Sequence, residues 1–265
     1  MKRTWSELRE TGLRQYKKLL MAAGFLSILP LPGSRRLFKA NVVEASPLSG
    51  GEYFPLVGAL LALLLAGALL LLAPLFPQPV LAALLVVGLV VLTGGLHLDG
   101  LMDTCDGLFG GLTRERKLEI MRDSRVGSFG VLAGICALLL KFACFASLGK
   151  HGLPAVLLVT LPSARWTLVL ALRLFPGARA SGLGATFRQD ITPRTLALAG
   201  VLTLALVLLG AQFAGLLVWG AMTLTALALG AWITRQLGGL TGDTYGAIAE
   251  SAEIVGLLTF LLLHF

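Results

Sequence analysis

Long apolar stretches dominate this chain and restrict it to a small set of folds. Each stretch is about 20 residues long, which is the length that an α-helix needs to cross the hydrocarbon core of a bilayer. Because unpaired backbone groups are costly in lipid, such stretches fold as helices. The sequence therefore predicts an all-α protein, a polytopic membrane helix bundle with about seven transmembrane helices. The predicted spans are 54–73, 79–96, 127–148, 153–172, 196–213, 216–233 and 246–263.

The composition argues against several other classes of protein. Hydrophobic residues make up 56% of the 265 residues and charged residues 14%, whereas a soluble domain has about 45–50% apolar and about 25% charged residues. A water-soluble enzyme and a disordered chain therefore fit poorly. The net charge is +8, but the basic residues are dispersed, whereas a nucleic-acid-binding protein gathers them in one patch. We expect a lipid bilayer and no nucleic acid as partner.

The N-terminal segment, residues 1–40, is basic and only partly apolar. Its apolar part, residues 19–31, is too short to span a bilayer and is closed by Pro30 and Pro32, so we predict a basic amphipathic helix followed by a re-entrant or interfacial piece. Basic residues are concentrated in this segment and in the loops 97–126 and 173–195. The positive-inside rule places all three in the cytoplasm. The prediction is a single integral membrane domain, 1–265, in the cell inner membrane.

Acidic residues are scarce, and six of the fourteen fall between positions 99 and 123. Asp99, Asp103 and Asp106 are spaced so that a helix would carry them on one face. Three carboxylates on one face repel one another unless a cation lies between them. Oxygen ligands suit a hard cation such as Mg²⁺, so the spacing predicts a metal site. The alternative is a solvated acidic turn, because Asp-Gly pairs favour turns.

Other polar residues near these acids are candidate site residues. Arg122 and Arg125 flank Asp123 just before a predicted span, and paired guanidinium groups are typical of a phosphate clamp. A positive-inside anchor is an equal explanation for Arg125. His97 lies two residues before Asp99 and could accept a proton from a hydroxyl, although a lone histidine is more often structural.

A second group of acids lies at the start of the last predicted span. Asp243, Glu250 and Glu253 share roughly one face of a helix, and acids in an apolar helix are expensive and usually functional. We expect them to supply a second cation contact or to hold substrate hydroxyls. Arg165, inside the fourth span, needs a buried partner, either a carboxylate or a phosphate. A secondary transporter would place more such groups at mid-bilayer, so the polar loops favour chemistry at the membrane surface.

Several polar motifs together carry a family resemblance. They are GEYFPLVG (51–58), GGLHLDGLMDTCDGL (94–108), LEIMRDSRVGSFG (118–130), SGLGATF (181–187) and GGLTGDTYGAIAESAE (238–253). In this order they resemble the cobalamin synthase family, also called adenosylcobinamide-GDP ribazoletransferases. The resemblance runs from about residue 20 to the C-terminus.

The resemblance implies a Mg²⁺-dependent membrane enzyme near the end of vitamin B12 biosynthesis. The family joins adenosylcobinamide-GDP to α-ribazole, or to α-ribazole 5′-phosphate, and releases GMP. A ribose hydroxyl attacks the phosphate attached to cobinamide, and Mg²⁺ is the only cofactor implied. We therefore assign the metal to Asp99, Asp103 and Asp106. His97 or Asp123 is the candidate base. Substrate contacts are assigned to Arg122, Arg125, Arg165, Asp243 and Glu250.

Other functions fit parts of the sequence less well. The DTCDG run at 103–107 matches the opening of the CDP-alcohol phosphotransferase motif, but the Ala-Arg that should follow and the later paired aspartates are missing. A prenyltransferase would need a second aspartate-rich motif. The corresponding stretch of this chain, DTYGAIAE (243–250), has Asp243 as its only aspartate. Small-residue helix faces permit contacts between copies, so a homo-oligomer or a biosynthetic complex is compatible with the sequence.

Overall fold

The computed structural model of the chain describes residues 5–33, 50–178 and 183–263. Within these ranges the chain forms ten α-helices, one short 3₁₀ helix (Gly51–Tyr53) and no β-strand, which confirms the predicted all-α fold. The α-helices are α1 (Trp5–Leu26), α2 (Phe54–Leu72), α3 (Gln78–Thr93), α4 (Leu96–Gly110), α5 (Arg114–Ile120), α6 (Ser128–Ser147), α7 (Gly152–Leu174), α8 (Leu183–Asp190), α9 (Pro193–Leu237) and α10 (Gly242–Leu262). Predictions on residues 34–40 and on the start of the SGLGATF motif lie outside the described residues.

Five helical segments in the described part of the chain are long and apolar enough to cross a membrane, namely Gly51–Leu72, α6, α7, α9 and α10. The pair α3 and α4 passes the same test together but is bent by 88°. The helix predicted over 79–96 forms as α3 but ends at Thr93, and its crossing of the membrane stays a prediction. Gly94 and Gly95 both adopt left-handed conformations, with φ of 63° and 69°, and this ends α3 and redirects the chain into α4.

The 45-residue helix α9 folds back on itself. Its backbone leaves the helical conformation at Ala211 and Gln212, where Gln212 takes a φ of 47°. Trp166 of α7 lies against Gly200, before this break, and donates a hydrogen bond of 3.2 Å to Thr223, after it. In a straight helix those two positions would be about 35 Å apart, so the two halves lie side by side. The predicted boundary between the fifth and sixth spans falls at this break. The count of seven spans stays a prediction.

The predicted N-terminal helix forms as α1, and only its last turns enter the bundle. Leu20, Met21, Ala22 and Leu26 are buried, whereas the preceding turns are exposed. The chain beyond α1 is tied to α3, because the Ile28 amide donates a 2.9 Å hydrogen bond to the carbonyl of Leu92. The interfacial position of this segment stays a prediction.

Helix α7 forms the centre of the bundle, since every residue from 159 to 172 is buried. It contacts α2, α9 and α10. The contact with α2 is close because Gly58 faces it, and a Cβ at Gly58 would lie 2.5 Å from the carbonyl oxygen of Leu161.

The segment 97–126 is not the loop that the topology predicts. It contains α4 and α5, and α4 packs against α6 and α10. Asp99, Asp103 and Asp106 are therefore carried by a helix that packs in the bundle and not by a free surface loop.

Candidate active site

Close contact between α4 and α10 brings the two acidic motifs together. A Cβ at Gly100 would lie 2.6 Å from the carbonyl oxygen of Asp243, and a Cβ at Gly246 would lie 3.1 Å from Cα of His97. A side chain at Gly100 would overlap the neighbouring backbone, and one at Gly246 would be tightly crowded. The absence of side chains at these positions lets the first turns of α10 pack against α4 at His97 and Gly100.

Four carboxylates act on one another at this contact. Asp99, Asp243 and Asp106 all exert an electrostatic effect on Asp103. Asp99 is exposed and Asp103 half-buried. Asp243 lies in the first turn of α10, where Thr241 forms a capping box with Thr244 and also donates a 3.3 Å hydrogen bond to the Asp243 carboxylate. The sequence predicted Asp99 and Asp103 on one helical face, and the structure adds Asp243 to that cluster.

The donor set of the cluster suits a hard cation that is completed by a ligand. In the described ranges no three His, Cys, Asp or Glu side chains are arranged to hold a metal by themselves. Mg²⁺ does not require such a cage, since it usually takes one or two carboxylates together with waters and substrate phosphates. Asp99, Asp103 and Asp243 could supply carboxylates of this kind, and the Mg²⁺ site stays a prediction.

The Asp106 side chain caps the start of α6. Its two carboxylate oxygens accept hydrogen bonds from the backbone amides of Gly127 and Gly130, each 2.8 Å long. These amides open α6, so Asp106 caps that helix in the way that acidic residues stabilise helix N-termini. The metal-ligand role of Asp106 stays a prediction. Both of its carboxylate oxygens already accept hydrogen bonds.

An apolar pocket of about 140 Å³ lies beside the carboxylates. Asp99, Asp243, His97 and Tyr245 contribute its polar lining. Its apolar side chains come from four helices and are those of Phe25, Leu96, Leu168, Leu172 and Phe187. The rings of Phe25 and Phe187 pack with their centroids 4.4 Å apart. The pocket can accommodate a planar apolar group next to the acidic cluster.

His97 lies between this pocket and a buried group of charges. Its side chain is 5% exposed, and its Nε2 atom has no hydrogen-bond partner among the described residues. It lines the apolar pocket and also a small cavity of about 20 Å³ that it shares with Arg165, Glu250 and Glu253. A buried polar atom without a partner is rare, so His97 is suited to a hydrogen bond with a bound molecule.

Arg165 and Glu250, which the sequence assigns to substrate, lie inside the bundle in a network of ion pairs. Lys141 of α6 pairs with Glu250 and with Glu253, the latter at 2.8 Å. Arg165 lies 3.6 Å from Glu253. Of the two partners expected for Arg165, the structure provides the carboxylate. A substrate contact of Arg165 or Glu250 stays a prediction.

Asp123, Arg122 and Arg125 lie in the exposed turn between α5 and α6. Arg125 donates hydrogen bonds to Asp123, one of them 2.7 Å long. These bonds lower the pKa of Asp123 to about 2, which makes it a weak proton acceptor near neutral pH. Within the described residues no hydrogen bond or ion pair joins these three side chains to the acidic cluster. Their predicted roles stay predictions.

Comparison with known proteins now identifies the family. A family model described as cobalamin-5-phosphate synthase matches residues 18–261. The chain belongs to this family. It is similar to adenosylcobinamide-GDP ribazoletransferases from Roseiflexus sp. (strain RS-1), at 45% identity over 91% of this chain and 88% of the relative. The relative from Desulfitobacterium hafniense (strain Y51) is 41% identical over 94% and 98%, and that from Klebsiella pneumoniae (strain 342) is 39% identical over 92% and 99%. No solved structure matches the chain.

Sequence reasoning left several residues out of the candidate site of this cobalamin-5-phosphate synthase family member. Phe25, Phe187 and Tyr245 line the pocket, but aromatic residues in an apolar chain give no local signal. Lys141 did give a signal, since it is a charge within an apolar helix, and Glu253 is already among the acids predicted at the start of the last span. What the sequence could not show is that these two charges are partners of each other.

Proposed function

We propose that this chain transfers α-ribazole, or α-ribazole 5′-phosphate, onto adenosylcobinamide-GDP. GMP is released, and the product is adenosylcobalamin or its 5′-phosphate. The observation that carries the proposal is the match over nearly the whole chain to relatives named adenosylcobinamide-GDP ribazoletransferase. The acidic cluster beside an apolar pocket supports it, because the reaction brings a diphosphate together with a nucleoside.

The proposed reaction is a displacement at phosphorus. A ribose hydroxyl of the acceptor forms a bond to the phosphorus attached to cobinamide, and the bond from that phosphorus to the GMP oxygen breaks. The hydroxyl proton passes to a base. His97 is favoured over Asp123, because His97 lines the pocket with an unpaired ring nitrogen, whereas the Asp123 carboxylate is bound to Arg125.

We propose that the enzyme depends on Mg²⁺, held by Asp99 and Asp103 with Asp243 from α10. With the ion bound, the charge that develops on the departing GMP would be neutralised. The carboxylates have a role of their own in the free protein. They exclude a bare diphosphate from this position by repulsion, so the phosphate groups can approach only with a cation.

The apolar pocket is the proposed position of the acceptor's base. Its volume of about 140 Å³ is too small for a corrin ring system. A diphosphate is disfavoured by its apolar lining, since burial of unpaired charge is costly. A planar heteroaromatic base can pack against Phe25 and Phe187, and this would bring its ribose near His97.

We further propose that the protein lies in the cell inner membrane with the acidic cluster on the cytoplasmic side. The basic residues of the described connections support this orientation. Arg114, Arg116, Lys117, Arg122 and Arg125 lie between α4 and α6, whereas Lys150 is the one basic residue other than histidine between α6 and α7. The excess of positive charge marks the cytoplasmic face.

The proposal is tested by a direct assay of the protein purified in detergent. Adenosylcobinamide-GDP, Mg²⁺ and either acceptor are incubated with the enzyme, and released GMP is quantified by chromatography. We expect GMP with wild type. For Asp103→Asn we expect at least a hundredfold lower kcat and a higher Mg²⁺ requirement. Glu115→Gln, which removes an exposed acid of α5, is the matched control and should retain activity. Absence of GMP with both acceptors would refute the function.

The base is tested separately with His97→Ala. General-base catalysis contributes about 10²–10⁴-fold, so the variant should lose at least a hundredfold in kcat at neutral pH. A loss of only a few fold would remove His97 from the mechanism while leaving the transfer reaction itself in place.

A further inference from the structure

A second cavity, of about 590 Å³, lies between the exposed half of α1 and the start of α9. We call it the basic groove. Its basic side chains are Arg14 and Lys18 of α1 and Arg194 of α9, and its apolar wall is formed by Leu198, Val201 and Leu202. It shares no lining residue with the pocket at the acidic cluster.

The polar end of the groove carries two cations without partners. Arg14 and Lys18 face the same side of α1, because they are four residues apart. Lys18 forms a 2.8 Å ion pair with Glu52. Arg14 and Arg194 are exposed, and neither has an ion-pair or side-chain hydrogen-bond partner in the described part of the chain. Asp190 also lines the groove, so three cations face two carboxylates, and the balance is positive.

The apolar end of the groove extends along a helix that is long and apolar enough to cross a membrane. Leu198 is 45% exposed and Val201 63% exposed. From Arg194 to Leu202 the helix rises about 12 Å. The groove therefore leads from the guanidinium groups of Arg14 and Arg194 to an apolar surface more than two turns further along α9.

We propose that the basic groove binds an anionic phospholipid. Its phosphate lies between Arg14 and Arg194, and one acyl chain lies along Leu198 and Val201. Basic pockets beside membrane helices recognise anionic head groups in this way. A small free anion would use the guanidinium groups but gain nothing from the apolar wall, and a neutral phospholipid would use the wall but leave the excess charge unpaired. An anionic lipid places its phosphate at the guanidinium groups and its acyl chain against the apolar wall.

Lipid binding is measured by native mass spectrometry of the detergent-purified protein, titrated with dioleoylphosphatidylglycerol or dioleoylphosphatidylcholine. We expect wild type to bind phosphatidylglycerol more tightly. The double variant Arg14→Gln/Arg194→Gln should bind it about 25-fold more weakly, because each basic residue near an anionic lipid contributes about 1 kcal/mol, or about fivefold. Binding of phosphatidylcholine should not change.

The matched control is Arg9→Gln/Arg235→Gln, which removes two exposed charges outside the groove and should keep phosphatidylglycerol binding. The charge-retaining Arg14→Lys/Arg194→Lys should keep most of it. Equal binding of the two lipids by wild type would overturn the proposal, as would an equal loss in the control variant. Displacement of the lipid by millimolar inorganic phosphate would also overturn it, since the groove would then be a site for free phosphate. None of these readouts depends on the transfer reaction.

Discussion

Removal of the Lys141 charge should destabilise the protein strongly. Lys141 is 5% exposed and pairs with two carboxylates, those of Glu250 and Glu253. Lys141→Met leaves Glu250 without its ion-pair partner and leaves Arg165 alone against two anions. Loss of one partner of a buried ion pair costs about 3–5 kcal/mol, so we expect a loss of that size in the free energy of unfolding.

A second substitution separates charge balance from packing. In Lys141→Met/Glu250→Met the network retains Arg165 and Glu253, one cation and one anion, 3.6 Å apart. Replacement of a whole buried pair by apolar residues of similar size is often neutral or stabilising. The double variant should therefore recover at least half of the loss, which is about 2 kcal/mol or more.

The assay is equilibrium unfolding in mixed micelles of dodecyl maltoside and sodium dodecyl sulfate, followed by tryptophan fluorescence and far-UV circular dichroism. The control is Lys150→Met, since Lys150 is exposed and donates a 2.6 Å hydrogen bond to the carbonyl of Ala73. It should lose at most about 1 kcal/mol. A loss below about 1 kcal/mol for Lys141→Met, or a double variant no more stable than the single one, would show that the network is not held together by charge balance.

Three further substitutions test other contacts. Gly100→Ala places a Cβ 2.6 Å from a backbone oxygen of α10; we expect it to cost about 1–3 kcal/mol of unfolding free energy and at least tenfold in GMP release. Gly67→Ala, whose Cβ would meet no atom within 4 Å, should do neither. Asp106→Asn removes the negative charge at the start of α6 and one of the two hydrogen bonds that cap this helix. The free energy of unfolding should therefore fall by about 1–3 kcal/mol. An unchanged free energy of unfolding would mean that the cap does not form. Arg125→Gln removes the guanidinium hydrogen bonds, which are the main cause of the lowered pKa of about 2 at Asp123, but keeps the bond from the backbone amide of residue 125. A carbon-13 titration of that carboxyl should therefore show a rise part of the way toward about 3.9. An unchanged pKa would mean that the ion pair is absent in solution. Because the native pKa is lowered, the stabilisation from this pair is present above the unfolded pKa and disappears as the pH falls.

The positions of most helices were predictable from the sequence because lipid imposes a simple local rule, apolarity over about 20 residues. The same rule gives no indication of where a helix breaks within an apolar stretch. The predicted span 79–96 is apolar throughout, yet α3 is only 16 residues long and the chain then bends by 88°. The pair Gly94 and Gly95 indicates a break in the helix. The direction in which the chain bends at this break depends on packing against neighbouring helices.

The helical membrane class, the family motifs and the spacing that carries Asp99 and Asp103 on one face of a helix can all be read from the order of the residues. Which distant residues meet depends on how the helices pack. This packing brings Lys141 to Glu253, 112 residues away in the chain, and Asp243 to the backbone of Gly100, and it engages Asp106 in capping α6. Local periodicity specifies the face of a helix on which a side chain lies. The residue opposite it is set by close packing between helices, and in an apolar bundle many such pairings satisfy the same local pattern.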